Sequence, residues 1–401
     1  MQAVRVATCL RSRVCDLELG AWFWSTRSTR STRSTGRMFG AGPGDAQLPQ
    51  AATARALRVA GLPPDRSPGA RDVGRVEPKK QRRLVVVDFD DTCTLGDTIS
   101  HLVSATKALQ PAHVAEEKDR TYAMLFREYM EERKELIDRL FDVTVEVPRT
   151  SMPGVPEDDD GDDGDDGDIR CPKRAWLAMF LHELSCFETR RNDVVLASGI
   201  LHGATIESIA GAAQNVVFRD ACIETLHRAS VSVGTSVVVL SANWSEEFIR
   251  AALSNHHGAC GGFDAARVEV VANALEFDAG VTTGGMRVRR CQTPNDKHRL
   301  LRGLVFDGHG QHAQHPSVYV GDSVGDVPAL LSANVGIVMG RNALLERVLE
   351  RGGVQIRSID EIPGGTDGVE EWGMGTTGAG RPSVVWQTSS WEDVRCALGL
   401  K

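Results

Sequence analysis

Residues 84–94 read LVVVDFDDTCT, four apolar residues that run directly into Asp88, Asp90 and Asp91. The run is strand-sized and continuous, not alternating, which predicts a strand buried on both faces of a parallel sheet. In open α/β sheets, ligands gather at the carboxyl ends of the strands, so these acids mark a candidate site. Residues two apart on an extended segment point the same way; Asp88 and Asp90 are therefore expected to face one site and Asp91 to turn aside. Two close carboxylates repel unless a cation shares them, so the crowding itself predicts a bound positive charge.

The same reading extends along the chain. Apolar runs at Leu84–Val87, Val237–Leu240, Val268–Ala272, Val318–Val320 and Val335–Met339 read as strands, with helical patterns between them at Glu246–Leu253, Lys297–Leu304 and Val327–Leu331. Strands of this kind alternating with helices predict an α/β fold with a Rossmann-like parallel sheet covered on both faces. Residues 98–220 break the rhythm with long helix-compatible stretches, Glu116–Leu140 and Lys173–Phe187, and no clear strand. They read as a helical insertion, which leaves 83–97 and 221–401 as the sheet domain.

The flanking sequence is of another kind. The first 44 residues hold seven arginines and the repeat STRSTRSTRSTG, with Asp16 and Glu18 as the acids. This resembles an organelle transit peptide and implies a mitochondrial or plastid protein. On the other reading translation starts at Met38 and the protein is cytoplasmic. Residues 1–82 as a whole, rich in Ala, Gly, Pro and Arg, read as a disordered leader and linker. EDDDGDDGDDGD at 157–168 has no register that puts ligands at positions 1, 3 and 5 with Gly at 6, so it reads as a solvated acidic loop and not an EF-hand.

Residues 84–401 carry 30 Lys and Arg against 48 Asp and Glu. Such an acidic body repels phosphate backbones and argues against a nucleic-acid partner. No window has the roughly 18 uninterrupted apolar residues of a membrane span. Nine scattered cysteines without a CxxC pair read as reduced thiols. His256, His257 and Cys260 form no complete metal set and read as a surface loop, while Trp386 and Trp391 read as packing residues.

Chemistry converges on four places. SVVVLSANW ends a strand at Ser241, SVYVGDSVGD ends one at Asp322 with Asp326 four residues on, and TPNDKHRLL sets Lys297 in the first turn of a helix. Carboxylates able to hold a hard cation, with Lys and Ser donors beside them, make a site for a phosphoryl group. DFDDT, LSANW, Lys297 and GDSVGDVPAL, in this order, resemble the four motifs of the haloacid dehalogenase superfamily of phosphohydrolases. A closer resemblance is to the phosphatase half of a bifunctional plant thiamine-salvage family. It is carried by SGILHGATIESIAGAAQNVVFRDACIETL, LSANWSEEFIRAAL, VVANALEF, GDSVGDVPALLSANVGIVMG and TSSWEDVRCALGL. The TenA-type half of that family has no expected counterpart here.

The resemblance implies a Mg²⁺-dependent phosphomonoester hydrolase, with thiamine monophosphate as substrate and the helical insertion as a C1-type cap between the first two motifs. Asp88 is then the nucleophile and Asp90 the acid and base. Thr92 orients the loop, and Ser241 and Lys297 hold phosphoryl oxygens. Asp88, the carbonyl of Asp90, Asp322 and Asp326 hold or support the metal. The cap is expected to close over the site and read the leaving group, with Phe187 and Glu188 as candidate contacts. Asn243 either touches substrate or caps the helix beginning near Ser245. The alternatives are a phosphatase for another small phosphorylated metabolite (phosphocholine, phosphoserine, a nucleotide), a phosphomutase, or a non-catalytic binding module.

Overall fold

The computed structural model describes residues 83–145, 171–305, 316–362 and 384–400. The leader before Arg83 and the acidic loop at 157–168 lie outside the described residues. After β1 (Arg83–Val87) come α1 (Ile99–Lys107), α2 (Ala112–Asp142) and α3 (Pro172–Ala197). β2 (His202–Thr205), α4 (Ile206–Ala213) and α5 (Cys222–Val231) lead to β3 (Thr235–Leu240) and α6 (Glu246–Ser254). β4 (Val268–Val271), β5 (Ala274–Asp278) and β6 (Val281–Val288) precede α7 (Pro294–Val305), β7 (Ser317–Gly321), α8 (Val327–Ser332) and β8 (Val335–Met339). α9 (Ala343–Arg351), β9 (Gln355–Ser358), β10 (Val384–Thr388) and α10 (Trp391–Ala397) complete the described elements.

Seven strands form one sheet in the order β4-β3-β1-β7-β8-β10-β9, and every pairing in it is parallel. The runs read as strands from the sequence are five consecutive members, from β4 at one edge to β8. Side chains alternate between its faces, as the pleat requires. Val85, Val87, Val237, Val239, Val318 and Val320 enter one apolar core, and Leu84, Val86, Val238, Leu240 and Tyr319 enter the other. β1 lies between β3 and β7, with Val87 level with Val239 and Val320. The residues that follow these three strands therefore emerge side by side, where the direction of chain winding reverses.

One expectation for 98–220 is corrected. The segment is not free of strands: β2 pairs antiparallel with β6, and β6 with β5, in a second sheet of three strands. β5 and β6 are joined by a tight turn in which Ala279 and Gly280 both have positive φ, as a two-residue hairpin requires. The helices of the insertion pack into the sheet's own core. Leu136, Ile137 and Leu140 of α2, and Trp176 to Phe187 of α3, share the core that holds Leu84, Val86, Leu301 and Leu345. Arg351 of α9 donates to the carbonyls of Phe141 (2.5 Å) and Val143 (2.7 Å) and lies over the Phe141 and Trp176 rings. Parts of α2 and α3 are thus built into the same interior as the sheet.

β8 shows how closely the layers approach. A Cβ at Gly336 would collide with the Leu330 carbonyl of α8. Overpacking of this sort costs about 1–3 kcal/mol. Gly336→Ala should lose about that much in urea unfolding; a loss below about 0.5 kcal/mol would contradict this packing.

Candidate active site

The residues after β1, β3 and β7 meet Lys297 from α7. Its ammonium, 4% exposed, lies 2.9 Å from Asp88 Oδ1 and 2.7 Å from Asp326 Oδ1. Burial works against its charge, but Asp326 and Asp88 outweigh that and raise its pKa. Asp326 is fully buried and accepts on both oxygens. Oδ1 takes the Lys297 ammonium and the Tyr319 hydroxyl (2.6 Å), and Oδ2 takes the Ser323 amide (3.0 Å) and hydroxyl (2.8 Å) and the Asp322 amide (3.3 Å). Burial alone would raise its pKa, yet Lys297 and these donors hold it below the ordinary value. It packs so tightly on β7 that a Cβ at Gly321 would stand 2.5 Å from its Cγ, so only glycine fits there.

Asp88 and Asp322 behave oppositely. Burial pushes Asp88 up to about 7; Lys297 opposes the rise, and Asp326 and Asp90 add to it. Asp322 is pushed up to about 8, first by burial and then by the charges of Asp326 and Asp88. One oxygen from each of Asp88, Asp322 and Asp326 lies within 4.8 Å of the others. Three hard oxygen donors carrying more negative charge than one lysine offsets suit a divalent cation. Because the oxygens of Asp326 already accept five hydrogen bonds, that residue fits the supporting position better than a direct ligand. The Asp90 carboxylate is not in this group. Its Oδ1 accepts from the Thr98 amide (2.8 Å) and hydroxyl (2.6 Å), and its Oδ2 from Asn243 Nδ2 (3.0 Å).

The loops are tied to one another. Thr92 donates to Asp322 Oδ1 (2.8 Å), and the Thr92 carbonyl accepts from the buried Trp391 indole (3.0 Å), which makes Trp391 the packing residue expected and also an anchor. Asp91 turns aside with φ 57°, and its carbonyl accepts two bonds from Arg219, 2.9 and 2.8 Å. Ser241 Oγ accepts from the Asn243 amide (3.0 Å). Asn273 Nδ2 donates to the carbonyls of Ala242, Asn243 and Cys291, so one side chain binds the loop after β3 to the approach of α7. Asn342, the cap of α9, donates to the Asp322 carbonyl (3.2 Å).

Some sequence expectations are not met. Asn243 does not cap α6, which Ser245 caps; it is 2% exposed, and its side-chain NH₂ donates to Asp90 and Thr98. Phe187 is buried on α3 against Tyr129, with ring centroids 5.5 Å apart. Glu188 accepts from the Tyr129 hydroxyl (2.8 Å) and lies 3.9 Å from Arg133. Among the described residues, no hydrogen bond or ion pair joins either to the strand-end acids. Thr98, Asn273, Asn342 and Arg219 were missed. Asn273, Asn342 and Arg219 act through bonds to residues 20 or more positions away, and Thr98 through a bond to Asp90 eight positions back; no local pattern announces any of them.

Parts of the chain are similar to known proteins. Residues 167–331 match the model of the haloacid dehalogenase-like hydrolases, a stretch that holds Ser241, Lys297, Asp322 and Asp326. Over those residues the chain is similar to the haloacid dehalogenase-like hydrolases. The Bifunctional TH2 protein, mitochondrial, of Arabidopsis thaliana is 28% identical over 338 residues, which are 80% of this chain and 50% of that protein. The chain therefore spans about half the length of that relative. Plasma membrane calcium-transporting ATPase 4 of Homo sapiens is 42% identical over 55 residues, 14% of this chain and 4% of that one. Among solved structures, a phospho-aspartyl intermediate analogue of phosphoserine phosphatase is 17% identical, covers 67% of this chain and 91% of its own, and has a TM-score of 0.35. Cytosolic 5'-nucleotidase IIIB bound to cytidine is 14% identical, covers 67% and 76%, and has a TM-score of 0.36.

Without a cation, Asp88 and Asp322 keep protons in the folded chain that the unfolded chain releases near the ordinary carboxylate value of 3.8. Their raised pKa values make stability fall as pH rises from about 4 through about 8. Thermal melts in EDTA from pH 5.5 to 8.5 should show Tm falling, and a divalent cation should restore most of the loss at the alkaline end by offsetting the charge of the ionised carboxylates. Melts that are flat in both conditions would contradict the paired shifts.

Proposed function

We propose that this hydrolase is a Mg²⁺-dependent phosphomonoesterase that works through an aspartyl-phosphate on Asp88. The observation that carries the reading is the pairing of two carboxylates with opposite surroundings at the end of β1. Asp88 is paired with the Lys297 ammonium, whereas Asp90 is held away from the lysine by Thr98 and Asn243. A nucleophile beside a cation and a separate acid are what two successive displacements at phosphorus require.

In the first displacement, an Asp88 oxygen forms a bond to phosphorus as the ester P–O bond breaks, and Asp90 gives its proton to the departing oxygen. In the second, Asp90 takes a proton from water, the water oxygen attacks phosphorus, and the P–O bond to Asp88 breaks to release inorganic phosphate. Ser241 Oγ accepts from a backbone amide, which leaves its own hydrogen to donate to a phosphoryl oxygen. Two of the three lysine protons point at Asp88 and Asp326, and the third suits a phosphoryl oxygen. A Mg²⁺ held by Asp88, the Asp90 carbonyl and Asp322, with Asp326 behind them, would offset the repulsion between an anionic carboxylate and an anionic phosphate.

For the substrate, the resemblance of residues 198–226, 240–253 and 321–340 to the thiamine-salvage phosphatases supports thiamine monophosphate. Helices α1 to α3 would act as the cap that reads the leaving group. The arginine-rich leader supports an organelle address. The test is phosphate release by the full chain with Mg²⁺ on thiamine monophosphate, thiamine diphosphate, phosphocholine, phosphoserine and nucleoside monophosphates, beside the Asp88→Asn variant. The expected outcome is highest kcat/KM on thiamine monophosphate and loss of at least about 10³-fold in Asp88→Asn. Preference for another ester would sink the substrate assignment; a fully active Asp88→Asn would sink the mechanism.

A further inference from the structure

The surroundings of Asp90 go beyond a single restraint. Asn243 Nδ2 donates to Asp90 Oδ2 (3.0 Å) and to Thr98 Oγ1 (3.1 Å), while Thr98 Oγ1 donates to Asp90 Oδ1 (2.6 Å). The three side chains form a closed ring in which each donor proton has one destination. Asn243 cannot flip within it: its Oδ1 accepts from the Ser245 amide (3.1 Å), so its NH₂ must face Asp90. Its backbone is held as well, the amide on Ser241 Oγ and the carbonyl by Asn273 Nδ2 (3.0 Å). Both Asn243 and Thr98 are 2% exposed.

A carboxylate oxygen accepts about two hydrogen bonds. The Thr98 amide and hydroxyl fill Oδ1, and Asn243 fills half of Oδ2. One lone pair on Oδ2 stays open. Resting on the phosphomonoesterase reading, we propose that Asn243, with Thr98, is a positioning residue for proton transfer. The ring orients Asp90 so that Oδ2 is the atom that exchanges the proton with the leaving oxygen. Asn243 is thereby assigned to the acid and not to the substrate, and its loss frees the carboxylate to rotate.

A positioning role has a signature that general loosening of the site lacks. Phosphorylation of Asp88 by an ester with a poor leaving group needs the proton, whereas 4-nitrophenyl phosphate scarcely does. The experiment compares kcat/KM of the full chain with Mg²⁺ on 4-nitrophenyl phosphate, phenyl phosphate and an alkyl phosphate, for wild type, Asn243→Ala, Thr98→Val, Thr98→Ser and Asp90→Asn. Since a positioned general acid contributes about 10²–10⁴-fold, Asn243→Ala should lose about 100-fold on the alkyl ester and less than about 10-fold on 4-nitrophenyl phosphate. Thr98→Ser, which keeps the hydroxyl, should lose less on the alkyl ester than Thr98→Val. If Asn243→Ala does not fold, as judged by its thermal melt, the two Thr98 variants carry the same comparison. Equal losses on all three esters, or none, would overturn the proposal. Asp90→Asn separates the two levels. If it is leaving-group dependent while Asn243→Ala is not, the positioning role fails alone; if neither is, the reading of Asp90 as the acid fails first.

Discussion

A buried ammonium between two buried carboxylates sets the terms for this molecule. Lys297 is shared by Asp88, just after β1, and Asp326, five residues beyond β7. Removing one partner of such a group leaves an uncompensated buried charge, at a cost of about 3–5 kcal/mol. The lysine is therefore committed to this place, and α7 with it. Asp326, saturated by five donors, serves as the fixed end of the arrangement. Asp88 has a single ion pair and a pKa pushed toward neutrality, which leaves it the more available of the two.

Everything around that group keeps loops from separate strands in register. Asn273 fastens the loop after β3 to the start of α7, Asn342 holds the Asp322 carbonyl, Thr92 reaches Asp322, and Arg219 holds the carbonyl of Asp91. Each is a side chain bonded to a distant loop, and none belongs to the regular hydrogen bonding of a helix or strand. The sheet provides the platform, because β3, β1 and β7 are neighbours and their ends lie level. The insertion adds a wall: the far half of α2 and the near half of α3 are set in the same core as the sheet, and Asn192 of α3 accepts from the Trp244 indole at 2.9 Å.

The parts legible in the sequence share one property, that a local pattern encodes them. Leu84–Val87, Val237–Leu240 and Val335–Met339 read as strands because a strand buried on both faces needs an unbroken apolar run. The acids at 88, 90, 322 and 326 and Lys297 stood out because charge at such strand ends is costly without a cause. β2 escaped notice because HGAT is short and half-exposed, and its partner β6 lies some 80 residues downstream. Thr98 stands eight residues beyond Asp90 and carries no sequence signal of its own; the fold of the loop after β1 brings the two together. Asn243, beside Ser241, suggested a substrate contact or a cap; its bond to Asp90 spans 153 residues, which no local pattern announces.

The claim on which the account rests is that Asp88 becomes phosphorylated. It is tested most directly by acid-quenching the full chain during turnover with Mg²⁺ and a good phosphomonoester, then digesting it and locating the added phosphoryl mass by peptide sequencing. The account predicts the label on Asp88, absent from the Asp88→Asn variant and accumulating in Asp90→Asn when 4-nitrophenyl phosphate is the donor. Rapid phosphate release with no labelled peptide in any variant, or a label on another residue, would contradict it.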